Sequence, residues 1–108
     1  MNNLIKDILD WHKDTFPNAT EEAVSAKLLE EAHELWLELI NHAINQSTKS
    51  ETEMLDEVAD VFIVATRFVD MRSGGEVSIL DIIEKKMERN KRRAWGPEEA
   101  NGDRRRVK

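Results

Sequence analysis

Apolar residues recur along this chain at three- and four-residue steps, the period of an α-helix, in blocks separated by polar or glycine-containing breaks. The pattern predicts a first helix from Asn3 to about Asp14, with Leu4, Ile5, Ile8, Leu9 and Trp11 near one side, ended by Thr15-Phe16-Pro17-Asn18. A second starts from Asn18 or Thr20, where Glu21 completes a capping box with Asn18 and Glu22 suits the helix N-terminus, and runs to about Ile44. Asn45 to Lys49 is polar and loop-like, and Ser50 with Glu53 forms another capping box at the head of a third helix reaching about Arg72. Gly74-Gly75 stops that helix, and Ser78 with Asp81 starts a fourth that continues to about Arg93. Gly96-Pro97 ends regular structure, so residues 1–95 read as one domain and 96–108 as a polar basic tail.

Val61-Phe62-Ile63-Val64-Ala65 has the β-branched content of a buried strand. Its apolar pattern, however, extends from Met54 to Val69 without Gly or Pro, and no second strand exists to pair with it. The fold class is therefore all-α with four helices. The third helix is apolar around most of its circumference between Leu55 and Val69, which implies burial on nearly every side. Three short helices are too few to cover it. A homodimer or homotetramer is expected, with the second and third helices forming an intersubunit bundle core.

Carboxylates break this apolar pattern at two places. In the second helix, Leu28, Ala32, Leu35, Trp36 and Leu39 share a face, with Glu31 and Glu34 along its edge and Trp36 assigned to the core. In the third, Glu57 falls in the stripe of Met54, Val61, Val64 and Phe68, one turn before Asp60. An ionised carboxylate in such a stripe must shift its pKa, meet a cation or coordinate a metal. Four carboxylates converging from two packed helices make a hard-oxygen site suited to Mg²⁺ or Mn²⁺.

Charge sharpens the picture. The formal net charge of −6 conceals a split, with 6 basic and 18 acidic residues in 1–84 against 10 basic and 4 acidic in 85–108. An acidic body with a basic C-terminal segment suits metal-assisted handling of a polyanion, although a solvated helix end with a soluble tail explains the charge equally well. The absence of cysteine excludes disulfides and thiolate metal sites. No stretch has the form of a signal peptide or approaches the ~20 apolar residues of a membrane span, so a cytoplasmic protein with no membrane partner is expected. Nor is there a glycine-rich phosphate loop or a Ser-His-Asp ordering, which leaves water as the nucleophile of any hydrolysis.

The arrangement Glu30-Glu31-x-x-Glu34, a spacer of 22 residues, Glu57-x-x-Asp60 and then Lys86 to Arg93 resembles the all-α nucleoside triphosphate pyrophosphohydrolases, the MazG-like superfamily. Trp11-x-x-x-Thr15-Phe16-Pro17 and Asn90-x-x-Arg93-x-Trp95 are similar to the phage-type dATP/dGTP pyrophosphohydrolases within it. The resemblance covers about residues 11–95. It implies a four-helix MazG-like fold and Mg²⁺-dependent hydrolysis of deoxynucleoside triphosphates between the α and β phosphates, with Mn²⁺ as a substitute ion. By position it makes Glu31, Glu34, Glu57 and Asp60 the metal ligands, and Glu30 a group that orients the water or joins a second ion. It also makes the basic helix a substrate-binding element, and Lys86, Asn90 and Arg93 do lie on one side of a helix.

Other candidates have competing explanations. Lys27 suits a phosphate, or equally an i,i+4 ion pair with Glu31. Trp11, Phe16 and Trp95 can stack on a base, though aromatic residues at helix edges are more often core. His33 and His42 have no partner at metal-ligand spacing, and His12, within reach of a nucleotide beside Trp11, is expected at the surface. A nucleotide substrate with no nucleic-acid partner is expected. The alternatives are a non-catalytic helical oligomerisation module with a cation-binding acidic stripe or, among enzymes, a dUTP, dCTP or phosphoribosyl-ATP pyrophosphohydrolase. Glu57 weighs against the module, which has no reason to place a carboxylate in its apolar seam.

Overall fold

A computed structural model describes residues 2–45, 51–99, 102 and 104. These residues form four helices and no strand: α1 (Asn2–Thr15), α2 (Glu21–Asn45), α3 (Glu51–Arg72) and α4 (Ile79–Arg92). The all-α, four-helix expectation holds, with boundaries shifted by a residue or two. The loop over 46–49, the Ser50 capping box and nearly all of the tail beyond residue 99, including Arg105 and Arg106, lie outside the described residues.

Local chemistry sets the helix ends. Phe16 N–H donates to the His12 carbonyl at 2.8 Å and Ala19 N–H to the Phe16 carbonyl at 3.2 Å, closing the corner after α1. Because Pro17 and Asn18 occupy that corner, the cap of α2 is Thr20, whose hydroxyl accepts from Ala23 N–H at 3.1 Å. The box expected between Asn18 and Glu21 is therefore not made. After α3 the chain turns through Gly74 and Gly75 at φ 66° and 83°, left-handed values that favour glycine, and Gly75 N–H reaches back to the Asp70 carbonyl at 2.8 Å. Ser78 caps α4 as expected, accepting from Leu80 N–H at 3.2 Å.

α3 is the hub of the packing. It pairs most extensively with α2 and also packs against α1 and α4. An ion pair of 3.1 Å between Arg72 and Glu21 ties the end of α3 to the start of α2, so the two run antiparallel. Met54, Val64, Thr66 and Arg67 are buried on α3, along with Ile5 of α1, Val24 of α2 and Ile79 of α4. Thr66 satisfies its hydroxyl by donating to the Phe62 carbonyl at 2.8 Å. The pattern did not single out the charge inside this core: Arg67 Nη1 lies 3.2 Å and Lys13 Nζ 3.4 Å from Asp70 Oδ2, joining α1 to α3.

The other three helices leave Leu55, at 62%, and Val58, at 48%, exposed on α3, as expected, but one burial expectation needs correction: Trp36 is 56% exposed rather than core. The reason is a second apolar stripe on α2. Leu29, Trp36, Ile40 and Ile44 follow one another at helical steps and are all exposed, with His33 stacked on Trp36 at 6.0 Å between ring centroids. The chain is accordingly open for its size. Its radius of gyration is 16.7 Å, against about 13 Å for a compact domain of this length. Its accessible surface is 8412 Å², against roughly 6,200 Å² for a compact monomer of this mass. Among the described residues no helix is long and apolar enough to cross a membrane.

The Asp70 network gives a test of the α1–α3 junction. Asp70→Ala strands the buried Arg67 guanidinium without its counter-charge, so urea denaturation should show a loss of about 3–5 kcal/mol. Lys13→Ala, which removes a half-exposed partner, should cost at most about 1 kcal/mol. Equal effects would show that the network does not hold α1 in place.

Candidate active site

The two acidic motifs share a three-residue spacing and lie on antiparallel helices, so their members meet in pairs. Glu31 of α2 and Asp60 of α3 line one cavity, and Glu34 and Glu57 line a second, one turn further along α2 and one turn back along α3. Every candidate metal ligand therefore lies on the α2–α3 pair. They are not gathered as closely as expected: among the described residues no three His, Asp or Glu side chains are grouped so as to hold an ion. Like charges repel one another at short range, and Glu31 is paired with Lys27, whose Nζ lies 2.9 Å from Glu31 Oε1. That contact is the i,i+4 pair foreseen for Lys27. Its hydrogen bond and the carboxylate's charge raise the Lys27 pKa above its ordinary value.

Glu57 is half-buried between buried Met54 and Val64, as its register predicts, whereas Asp60, Glu30 and Glu34 are exposed. The Oε2 atom of Glu57 is buried and accepts no hydrogen bond, although the residue is engaged otherwise. The donor set fits a hard divalent cation in chemistry, being carboxylate oxygens alone.

The first cavity, about 360 Å³ in volume, has two chemically distinct ends. Trp11, His12 and Phe16 form an aromatic end, Ala19, Ala23 and Val24 leave room beside it, and Ile63 with Val64 closes the α3 side. Lys27, Glu31 and Asp60 form the polar end. Trp11 and Phe16 meet edge to face at 6.0 Å between centroids, a favoured aromatic geometry. Both are about half exposed, so each retains ring surface for a ligand.

His12 departs from expectation: it is buried, at 7% exposure, rather than placed at the surface. It sits one residue after Trp11 and four before Phe16, and its ring packs 6.1 Å from the first and 4.9 Å from the second. Its Nδ1 is buried with no hydrogen bond, a state that costs about 1–3 kcal/mol. Burial, reinforced by the positive charge of Arg67, pushes its pKa below the ordinary 6.5. The i,i+4 spacing to Phe16 was the available signal for this placement. The small residues Ala19 and Ala23, also four apart, were the signal for the cavity beside it.

The basic helix stands apart from these cavities, for Lys86, Asn90, Arg93 and Trp95 line neither. Among the described residues α4 packs chiefly on α3, with its first turn beside Ile5 and Leu9 of α1. Trp95 is held at the end of α4 by its indole N–H, which donates to the Asn90 carbonyl at 2.9 Å. Asn90 Oδ1 is buried without a hydrogen bond, and Arg93, half-buried, donates its backbone N–H to the Arg89 carbonyl at 3.1 Å.

Comparison with known proteins adds to this geometry. A family model, the MazG nucleotide pyrophosphohydrolase domain, matches residues 19–95. Among solved structures, the chain is similar to one described as cyanophage S-2L MazG-like pyrophosphohydrolase bound to dGDP and three catalytic Mn²⁺ ions per active site. The identity is 28% and the TM-score 0.65, over 99% of this chain and 96% of that one. No curated protein matches the sequence.

His12 supplies a pH test of the site's packing. In the unfolded chain its imidazole takes up a proton near 6.5, whereas in the folded chain it does so only at lower pH. The unfolded state thus binds more protons on acidification, and the His12 contribution to stability, complete above about 6.5, is lost as the pH falls below it. Between about pH 7.5 and 5.5 the wild type should lose more Tm than His12→Phe does. Parallel Tm profiles would show that the imidazole is not held neutral.

Proposed function

The chain belongs to the MazG nucleotide pyrophosphohydrolase family, whose members convert nucleoside triphosphates to nucleoside monophosphate and pyrophosphate, and we propose that its substrates are deoxynucleoside triphosphates, dATP and dGTP foremost. One cavity carries the proposal. It joins an aromatic end, Trp11 and Phe16, to a polar end, Lys27, Glu31 and Asp60, so a planar base and an anionic chain can occupy it together. The dGDP bound by the cyanophage enzyme supports a deoxynucleotide with a purine base.

Glu31, Glu34, Glu57 and Asp60 would hold Mg²⁺, with Mn²⁺ as a substitute, and the ions of the cyanophage enzyme support that assignment. When bound, such ions polarise phosphate oxygens and lower the pKa of water. The remaining work belongs to the chain's own groups. Trp11 or Phe16 stacks on the base and fixes the position of the α-phosphate. Glu30, exposed beside Glu31, accepts a hydrogen bond from the attacking water and receives its proton. The water oxygen bonds to the α-phosphorus, the bond from that phosphorus to the bridging oxygen breaks, and pyrophosphate leaves. Lys27 can leave Glu31 to meet the triphosphate, since it is half-exposed. Lys86, Asn90, Arg93 and Trp95 are the further substrate-binding residues we assign.

We propose further that the protein is a homodimer or homotetramer that covers the Leu29–Ile44 stripe of α2 and Leu55 of α3. Those residues leave an apolar surface exposed that a second copy can bury. A second copy also gives α4 a way to reach a carboxylate site that it does not line within its own chain. No nucleic-acid partner is assigned, and we place the enzyme in the cytoplasm.

A panel of ribo- and deoxynucleoside triphosphates with Mg²⁺, assayed separately for pyrophosphate and orthophosphate, tests the reaction. Pyrophosphate should appear, fastest with dATP and dGTP; orthophosphate as the first product would refute the assignment. Glu57→Gln should lower kcat by at least about 100-fold while leaving the metal-free Tm equal or higher; retained activity would remove Glu57 from the ligand set. Sedimentation at low micromolar concentration should find no monomer, whereas Trp36→Glu should produce one. A wild-type monomer would overturn the assembly.

A further inference from the structure

We propose that His12 is the specificity-determining residue of the cavity, the group whose ring nitrogens meet the hydrogen-bonding edge of the base while Trp11 or Phe16 meets its face. The inference rests on the nucleotide reading of this site and concerns what that reading leaves open, the choice of base. Stacking cannot make the choice, because every base has a π-face, and an apolar wall discriminates only by size. A site discriminates sharply when a base that fails to pair leaves a buried polar group without a partner.

His12 has the properties such a group requires. It lines the aromatic end of the cavity while only 7% exposed, and its Nδ1 is buried without a hydrogen bond. The ring is held edge-on to Trp11, with an 82° interplanar angle, and rests against Phe16 at 4.9 Å. Burial and the nearby Arg67 guanidinium favour its neutral form, which offers one donor and one acceptor, as base edges do. A histidine serving only to fill space would gain nothing from its nitrogens, and an apolar ring would fill the space without the desolvation cost.

The test measures base discrimination twice. kcat/KM is determined for the four deoxynucleoside triphosphates, and Kd for the four deoxynucleoside monophosphates, in wild type, His12→Phe, His12→Asn and His12→Gln. In His12→Phe the ratio between best and worst base should fall about tenfold in both series, with the change in KM rather than kcat. Asn and Gln place an amide near the Nδ1 and Nε2 positions respectively, and the one that restores the ratio identifies the nitrogen in use. In wild-type protein carrying isotopically labelled histidine, the His12 ring nitrogens should shift in the NMR spectrum with the preferred monophosphate and not with the poorest. An unchanged ratio in folded His12→Phe, or ring nitrogens that respond alike to every base, overturns the proposal. Should no triphosphate release pyrophosphate, the reaction assignment fails instead, while the monophosphate and NMR measurements still decide the role of His12.

Discussion

The position of α3 constrains everything else in this molecule. It is the helix against which the other three pack, so it must offer apolar surface in several directions, yet it also carries Glu57 and Asp60. A carboxylate surrounded by protein is costly without a counter-ion. The helix meets both demands by dividing its length. From Val61 to Met71 every residue is buried or half-buried, whereas between Leu55 and Asp60 all but Glu57 are exposed. The acids thus occupy the half of α3 that its own chain leaves open, just ahead of the half that forms the core. Because α2 runs antiparallel to α3, its carboxylates meet those of α3 at that same boundary.

Most of the architecture was legible in the sequence, because helical period, caps and glycine breaks are local signals. The four helices, the Ser78 cap and the Gly74-Gly75 stop depend on a few neighbouring residues each. The depth of Glu57 was also legible, since a residue in register with Met54 and Val64 goes where they go. What failed was long-range. Nothing near His12 says that Arg67, 55 residues later, lies beside it, and two stripes on one helix do not reveal which of them the same chain covers. Trp36 belongs to the stripe that is left open.

The site was legible in kind but not in arrangement. The paired acidic motifs named the helices that bear the carboxylates, and the Lys27–Glu31 pair followed from spacing alone. The aromatic end of the cavity depends on the corner between α1 and α2, where Pro17 and Asn18 turn the chain so that Trp11, His12 and Phe16 face Ala19 and Ala23. Helical periodicity carries no information about such a corner. The basic residues of α4 were grouped correctly on their helix, but the fold of one chain holds that helix against α3 and away from the carboxylates.

These separations have a common physical cause. A chain of 108 residues has too little apolar material to enclose a polyanion site and maintain a core at once, and here the core draws on all four helices, most heavily on the second half of α3. The uncovered remainder is not arbitrary: the Leu29–Ile44 stripe of α2 and Leu55 of α3 flank the carboxylates. Covering that surface with a second copy, as the proposed assembly does, would also lower the dielectric around Glu34 and Glu57. Repulsion among the acids would then strengthen, and so would their attraction for a divalent cation. Assembly and metal binding would therefore be coupled, each favouring the other in equal measure, and the exposed apolar stripe would belong to the chemistry of the site as much as to the stability of the fold.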